Sequence, residues 1–265
     1  MYPSFEEIRS ERQPIGMCED FKRLYWPLSG TFPSAQAVMK TTRGAKEAME
    51  SLQDKNGNWH EIAFLPVTEP KVSSIKVILR MLNEYEPDWV SWHENHQAAE
   101  YVEYGDLDDD TRPFGEQRED LTWEADSDTP YLARCCGEDR PIKKNGLSVR
   151  VTPTSGDFVT IRDYVAAVHP WMMSLREDII GANIVAADGC NMSPEEARTM
   201  DWKVSVRHTP SHYILTHKQW LGDHTPKVMV SLDDPSMASL RRAIARDRAE
   251  RQQREQQWQQ QHQQQ

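Results

Sequence analysis

Between Leu147 and Gly181 the apolar positions change their period. Leu147, Val149 and Val151 alternate with Ser148, Arg150 and Thr152, the spacing of a strand with one buried face. Pro153 ends that ladder, having no N–H to donate. From Ile161 onward the apolar residues fall three and four apart, at Ile161, Tyr164, Val165, Val168, Met172, Leu175 and Ile179, which is one helical stripe. Thr160 is placed to accept from the amide of Asp163 and Val159 to pack on Tyr164, an N-cap with a hydrophobic staple. Gly181 fits the residue after the helix. Pro170 lies inside the stripe without shifting its phase, so the spacing predicts one kinked helix. The proline costs about 3 kcal/mol, and burial of the seven side chains contributes on the order of 10 kcal/mol as an upper value.

Elsewhere the signals are shorter. Residues 1–33 carry Pro3, Pro14, Pro27 and Pro33 and no sustained period, which predicts an irregular arm with Phe21, Leu24, Tyr25 and Trp26 as a docking patch. A helix is predicted from Ser34 to Leu52, a strand from Trp59 to Leu65, a helix from Val72 to Tyr85 closed by Pro87, and a helix from Asp88 to Tyr104. After Gly181, Ser193-Pro194-Glu195-Glu196 combines a capping box with a proline in the first turn. Residues 202–207 and 212–217 read as a hairpin, and 227–232 as a last strand. Ser236 starts a helix whose arginines give way to glutamines.

These elements predict an α+β fold, a mainly antiparallel sheet of about four strands packed by the kinked helix. The divisions are an arm (1–33), a mainly helical region (34–104), an acidic loop or linker (105–146), the α+β core (147–234) and a basic helix with a Gln-rich tail (235–265).

Composition narrows the function classes. The apolar fraction is 38%, below the roughly 45–50% of ordinary globular chains, so part of the length lies outside a packed core. A net charge of −11 opposes general affinity for nucleic acid or anionic membrane. No apolar run reaches the length of a membrane span and the N-terminus has no signal-peptide pattern, so a soluble, intracellular protein with no membrane partner is expected. Residues 103–130 are dense in Asp and Glu without the glycine of a calcium loop. The motifs of serine hydrolases, P-loop nucleotidases and dinucleotide enzymes are absent.

Two sets of side chains could hold a metal. His93, His96 and Glu100 lie three and four apart and would share a face of the 88–104 helix, offering two imidazoles and a carboxylate as catalytic zinc sites do. His208 and His212 would face each other across the hairpin. In each case the bland reading is a solvated or strand-end histidine. His169, before Pro170, would satisfy carbonyls freed by the kink. Four cysteines, Cys18, Cys135, Cys136 and Cys190, make neither a disulfide framework nor a paired metal motif and read as reduced thiols. Arg134 and Arg140 could lower a thiol pKa at Cys135 or Cys136.

The residues leave the cofactor unknown. The leading expectation is a non-catalytic protein-interaction or scaffold module that recruits a protein partner. The alternatives are a metal-dependent hydrolase built on the His/Glu ligands and nucleic-acid binding through Arg241, Arg242, Arg246, Arg248, Arg251 and Arg254.

Overall fold

Residues 2–103, 107, 130–141, 147–185, 192–207, 210–226, 242 and 246 are described by the computed structural model of the chain. The architecture is mixed helix and antiparallel sheet. In chain order the elements are α1 (Phe5–Ser10), β1 (Gly16–Met17), β2 (Leu24–Tyr25), β3 (Ala37–Val38), β4 (Glu50–Ser51), β5 (Thr68–Glu69), β6 (Ile75–Ile78) and α2 (Arg80–His93). They continue with β7 (Glu100–Glu103), β8 (Pro130–Cys135), β9 (Glu138–Asp139), β10 (Ser148–Val151), α3 (Ile161–Ser174), α4 (Arg176–Val185), α5 (Pro194–Thr199), β11 (Trp202–Val204), β12 (Ile214–Thr216) and α6 (His217–His224).

The cap at Thr160 forms as its residues dictate. Thr160 Oγ1 accepts from the Asp163 amide, and the Asp163 carboxylate accepts from both Thr160 and Thr154. Burial pushes that carboxyl up, but the hydrogen bonds from Thr154 and Thr160 outweigh it and hold Asp163 below its ordinary value. The stripe Ile161, Tyr164, Val165, Val168, Met172 and Ile179 is buried. Pro170 stays inside α3, and the helix axis is interrupted instead at Leu175 (φ −109°, ψ 12°). Burial continues past Gly181 through Ala182 and Val185, so α4 runs on and Gly181 is not its terminus.

Gly181 has a different use. A Cβ there would sit 2.2 Å from Tyr85 Oη and 2.8 Å from its Cζ, so only glycine lets α4 lie this close to α2. We expect Gly181→Ala to destabilise by about 1–3 kcal/mol through overpacking, partly offset by better helix propensity. The cost should shrink in a Tyr85→Phe background, as denaturant midpoints of the four variants would show.

Several expectations give way to tertiary pairing. Within residues 2–33, Ser4 and Glu7 form a capping box for α1, and Phe5, Ile8 and Leu28 are buried along with Phe21, Leu24 and Trp26 of the expected docking patch. The 34–52 helix is absent, because its apolar stripe lapses between Met39 and Ala45. Leu52 N instead bonds Gln36 O at 3.1 Å, and β3 lies between β2 and β4. Residues 61–64 form a 3-10 turn rather than a strand, with adjacent Ile62 and Ala63 both buried and His60 capping Ile62 N. Ile75–Ile78 is a strand paired antiparallel with β10, Val77 opposite Val149.

The single four-stranded sheet resolves into several small ones. β10 pairs with β6, β11 with β12, and the backbone of Trp26–Leu28 bonds β11 at both Trp202 and Val204. The 227–232 strand lies outside the described residues, as does most of 235–265. One core cluster collects residues from Phe5 to Ile214, so chain on both sides of the acidic stretch contributes to it. A second, smaller cluster gathers Trp89, Leu132, Cys135 and Val185. It lies beneath the site.

Candidate metal centre

Pro87 does not close α2; it is inside it. Leu82, Glu86, Trp89 and His93 keep a spacing of four, three and four and are all buried, so packing carries the helix past the proline. The helix ends at His93, and a turn follows in which His96 N bonds His93 O at 3.0 Å. The predicted 88–104 helix is therefore cut short and Glu100 begins the exposed strand β7. The shared helical face that joined His93, His96 and Glu100 does not exist.

What arrives beside the two histidines comes from a hairpin. β8 and β9 pair with Cys135 opposite Glu138, leaving Cys136 and Gly137 as a two-residue loop with φ of +53° and +84°. Two positive φ values are the signature of a type I′ turn, whose twist matches the flanking strands. Glycine takes that conformation readily. A cysteine in the left-handed region does so at a cost of about 1–2 kcal/mol, the kind of strain that collects at functional sites.

His93, His96, Cys135 and Cys136 each offer one ligand atom, and these atoms all lie within 4.8 Å of one another. The two sulfurs are 3.6 Å apart. His96 Nδ1 is 3.4 Å from Cys136 Sγ and 3.8 Å from Cys135 Sγ. With zinc–sulfur near 2.3 Å and zinc–nitrogen near 2.0–2.1 Å, the edges of a tetrahedral site run from about 3.3 Å between nitrogens to about 3.8 Å between sulfurs. The three separations among Cys135, Cys136 and His96 fall in that range, and the His93 ligand atom lies within 4.8 Å of all three. Two sulfurs and two imidazoles suit zinc, whereas calcium and magnesium require oxygen donors.

His93 is oriented for this role. Its Nδ1 donates to the Trp89 carbonyl at 2.8 Å, and its ring lies 4.3 Å from that of Trp89. The other nitrogen, Nε2, consequently keeps its lone pair, the second-shell arrangement expected of a ligating histidine. Burial, then the adjacent Cys136 thiol, pushes the Cys135 thiol up from its ordinary value. At Cys135 the lowering anticipated from the two arginines does not occur, and both arginines are engaged elsewhere. Arg140 bonds Glu86 at 2.6 Å and stacks 4.1 Å over Tyr131, while Arg134 turns to Asp139 at 3.6 Å and to Gly137 O. The Glu86–Arg140 pair adds a second tie between α2 and the β8–β9 hairpin.

The remaining candidates are placed differently. Glu100 is exposed opposite Arg134 and outside the ligand group. His208 lies outside the described residues. His212 is fully buried, with Nδ1 donating to Ser205 O at 2.9 Å and Nε2 accepting from Tyr164 Oη at 2.7 Å. Both nitrogens are used in the core, leaving no lone pair for a metal. His169 accepts from Trp26 Nε1 at 3.0 Å and donates to Gly30 O at 3.1 Å rather than to carbonyls of the helix.

A cleft of about 290 Å³ lies between α2, β9 and α4, lined by Tyr85, Glu138, Asp139, Glu177, Asp178 and Arg198 among others. Burial chiefly, and then Glu138 and Asp178, push the Tyr85 phenol up to about 12, so it stays protonated and cannot act as a base at neutral pH. Among the described residues no helix is long and apolar enough to cross a membrane. No family model, no curated protein and no solved structure matches the chain, so its function is read from the side chains alone.

Proposed function

We propose that this chain is a non-catalytic binding protein whose β7–β9 hairpin layer is clasped to α2 by one zinc ion held by His93, His96, Cys135 and Cys136. The observation that carries the reading is the convergence, within 4.8 Å of one another, of ligand atoms from two cysteines and two histidines drawn from a helix end and a hairpin turn. Four protein donors complete the coordination sphere and leave no open position for water or substrate, which is the mark of a structural rather than a hydrolytic site. Among the described residues the satellite core beneath it gathers four buried side chains with Tyr85, Val90 and Ala99 packed against them, a small apolar surface for a three-stranded sheet. The metal supplies what packing lacks. Beside the clasp, Trp92, Tyr101 and Val102 are exposed at 54%, 49% and 38%, large apolar side chains offered to a protein partner.

Titration of the reduced protein with cobalt(II) tests the metal assignment. Intense sulfur-to-cobalt charge-transfer bands and tetrahedral visible bands should saturate with one equivalent and be displaced by zinc. Cys135→Ser should remove about half of the charge-transfer intensity, one of two thiolates being lost, and Glu100→Gln should leave the spectrum intact. A hydrolytic His/Glu site would reverse those two results.

A further inference from the structure

The same thiol pair carries a second consequence, which rests on the zinc reading. We infer that Cys135 and Cys136 form a reversible oxidation site, at which hydroperoxide converts the clasp to an adjacent-residue disulfide and expels the metal. The sulfurs stand 3.6 Å apart, near the edge length that zinc requires, whereas a disulfide needs about 2.0 Å. A pair of sulfurs cannot satisfy both distances. Zinc and disulfide are therefore mutually exclusive states of one turn.

Burial assigns the roles. Cys136 is exposed on the turn, while Cys135 is fully buried beneath it. The Cys136 thiolate attacks one peroxide oxygen, forming an S–O bond as the O–O bond breaks, and the departing hydroxide takes a proton to become water. The Cys135 thiolate then attacks the resulting sulfenic sulfur, the S–S bond forms, and the S–O bond releases a second hydroxide, also protonated to water. Two thiolates and hydrogen peroxide, with two protons, give one disulfide and two waters; the sulfurs supply the two electrons. The imidazoles alone no longer hold zinc tightly. Adjacent residues have Cα atoms about 3.8 Å apart, closer than the 4.4–6.8 Å usual for disulfides, so the bond is strained and open to reduction by thiols.

The test uses the zinc-loaded full chain, hydrogen peroxide and a chromophoric zinc chelator. Trypsin cuts after Arg134, and Pro141 protects Arg140, so both sulfurs travel in the peptide 135–143. Zinc should appear in step with loss of two hydrogens from that peptide, and dithiothreitol followed by zinc should restore both. In Cys135→Ser, dimedone should label Cys136 as a sulfenic acid. Retention of zinc with both thiols still alkylatable, or a bridge to Cys18 or Cys190 instead, overturns the inference. Protein that holds no zinc before peroxide overturns the metal reading itself; protein that holds zinc and keeps it overturns the oxidative switch alone.

Discussion

Chelation of the zinc-loaded protein is expected to lower its unfolding midpoint substantially and to free the β7–β9 layer before the main core. A ligand that binds only the folded state stabilises by about 4 kcal/mol when its free concentration is a thousandfold above Kd, and structural zinc sites bind tightly enough to reach that regime. The effect should be local at first. Trp89 packs with Leu132, Cys135 and Val185 and lies against the tilted His93 ring, so its environment reports on the clasp. Amide exchange should accelerate in residues 93–103 and 130–140 while the α3 amides stay protected. Cys136→Gly separates the metal from the turn it occupies. With φ at +53°, glycine relieves about 1 kcal/mol of backbone strain, so the variant should be slightly more stable than wild type without metal and much less stable with it. Equal stability losses in both conditions would mean that Cys136 serves packing alone.

The second large effect is a fall in stability on acidification that depends on His212. Burial first of all, opposed by its bond to Ser205 O, lowers this histidine to about 4, against about 6.5 in an unfolded chain. The unfolded state therefore binds more protons between these values. The contribution of His212 is fully present above about pH 6.5 and is lost as pH falls toward 4, a total of about 3 kcal/mol. His169 is lowered in the same sense by burial. Protonating His212 would also force its Nε2 to donate where it now accepts from Tyr164. His212→Gln should be less stable at pH 7 yet show a shallower decline from pH 6.5 to 4, measured by urea unfolding with chelator present so that ligand protonation does not contribute. An unchanged slope would place the titration elsewhere.

Local signals were readable where they were self-contained. Thr160 with Asp163 and Ser193 with Glu196 each describe a helix start whose stabilising contacts lie within a few residues, and each forms; 202–204 also forms a strand, but with all three residues buried and held by β12 and Trp26–Leu28 rather than by local contacts. Ile75, Ile78, Leu79 and Leu82 fit a helical stripe, but Ile75, Val77 and Leu79 fit a strand equally well. Pairing with β10, more than seventy residues away, decides between them. The N-terminal residues looked irregular because Trp26 and Leu28 complete their order through β11. The centre was half legible. His93 and His96 stand out in HENH, whereas Cys136 lies 40 residues beyond His96 and adjacent cysteines match no paired-ligand template. The sequence signal for the other half is Cys136-Gly137 between two strand-forming runs, a two-residue hairpin loop that sets the neighbouring sulfur on the same side. Glu100 falls away from the centre because α2 ends at His93 and β7 begins at Glu100.

X-ray absorption at the zinc edge of the reduced, zinc-loaded chain addresses the four-ligand centre most directly. Two sulfur scatterers near 2.3 Å and two imidazole nitrogens near 2.0–2.1 Å are expected, with one sulfur lost in Cys135→Ser. A first shell of nitrogen and oxygen only, or one indifferent to either cysteine, would contradict a clasp formed by His93, His96, Cys135 and Cys136.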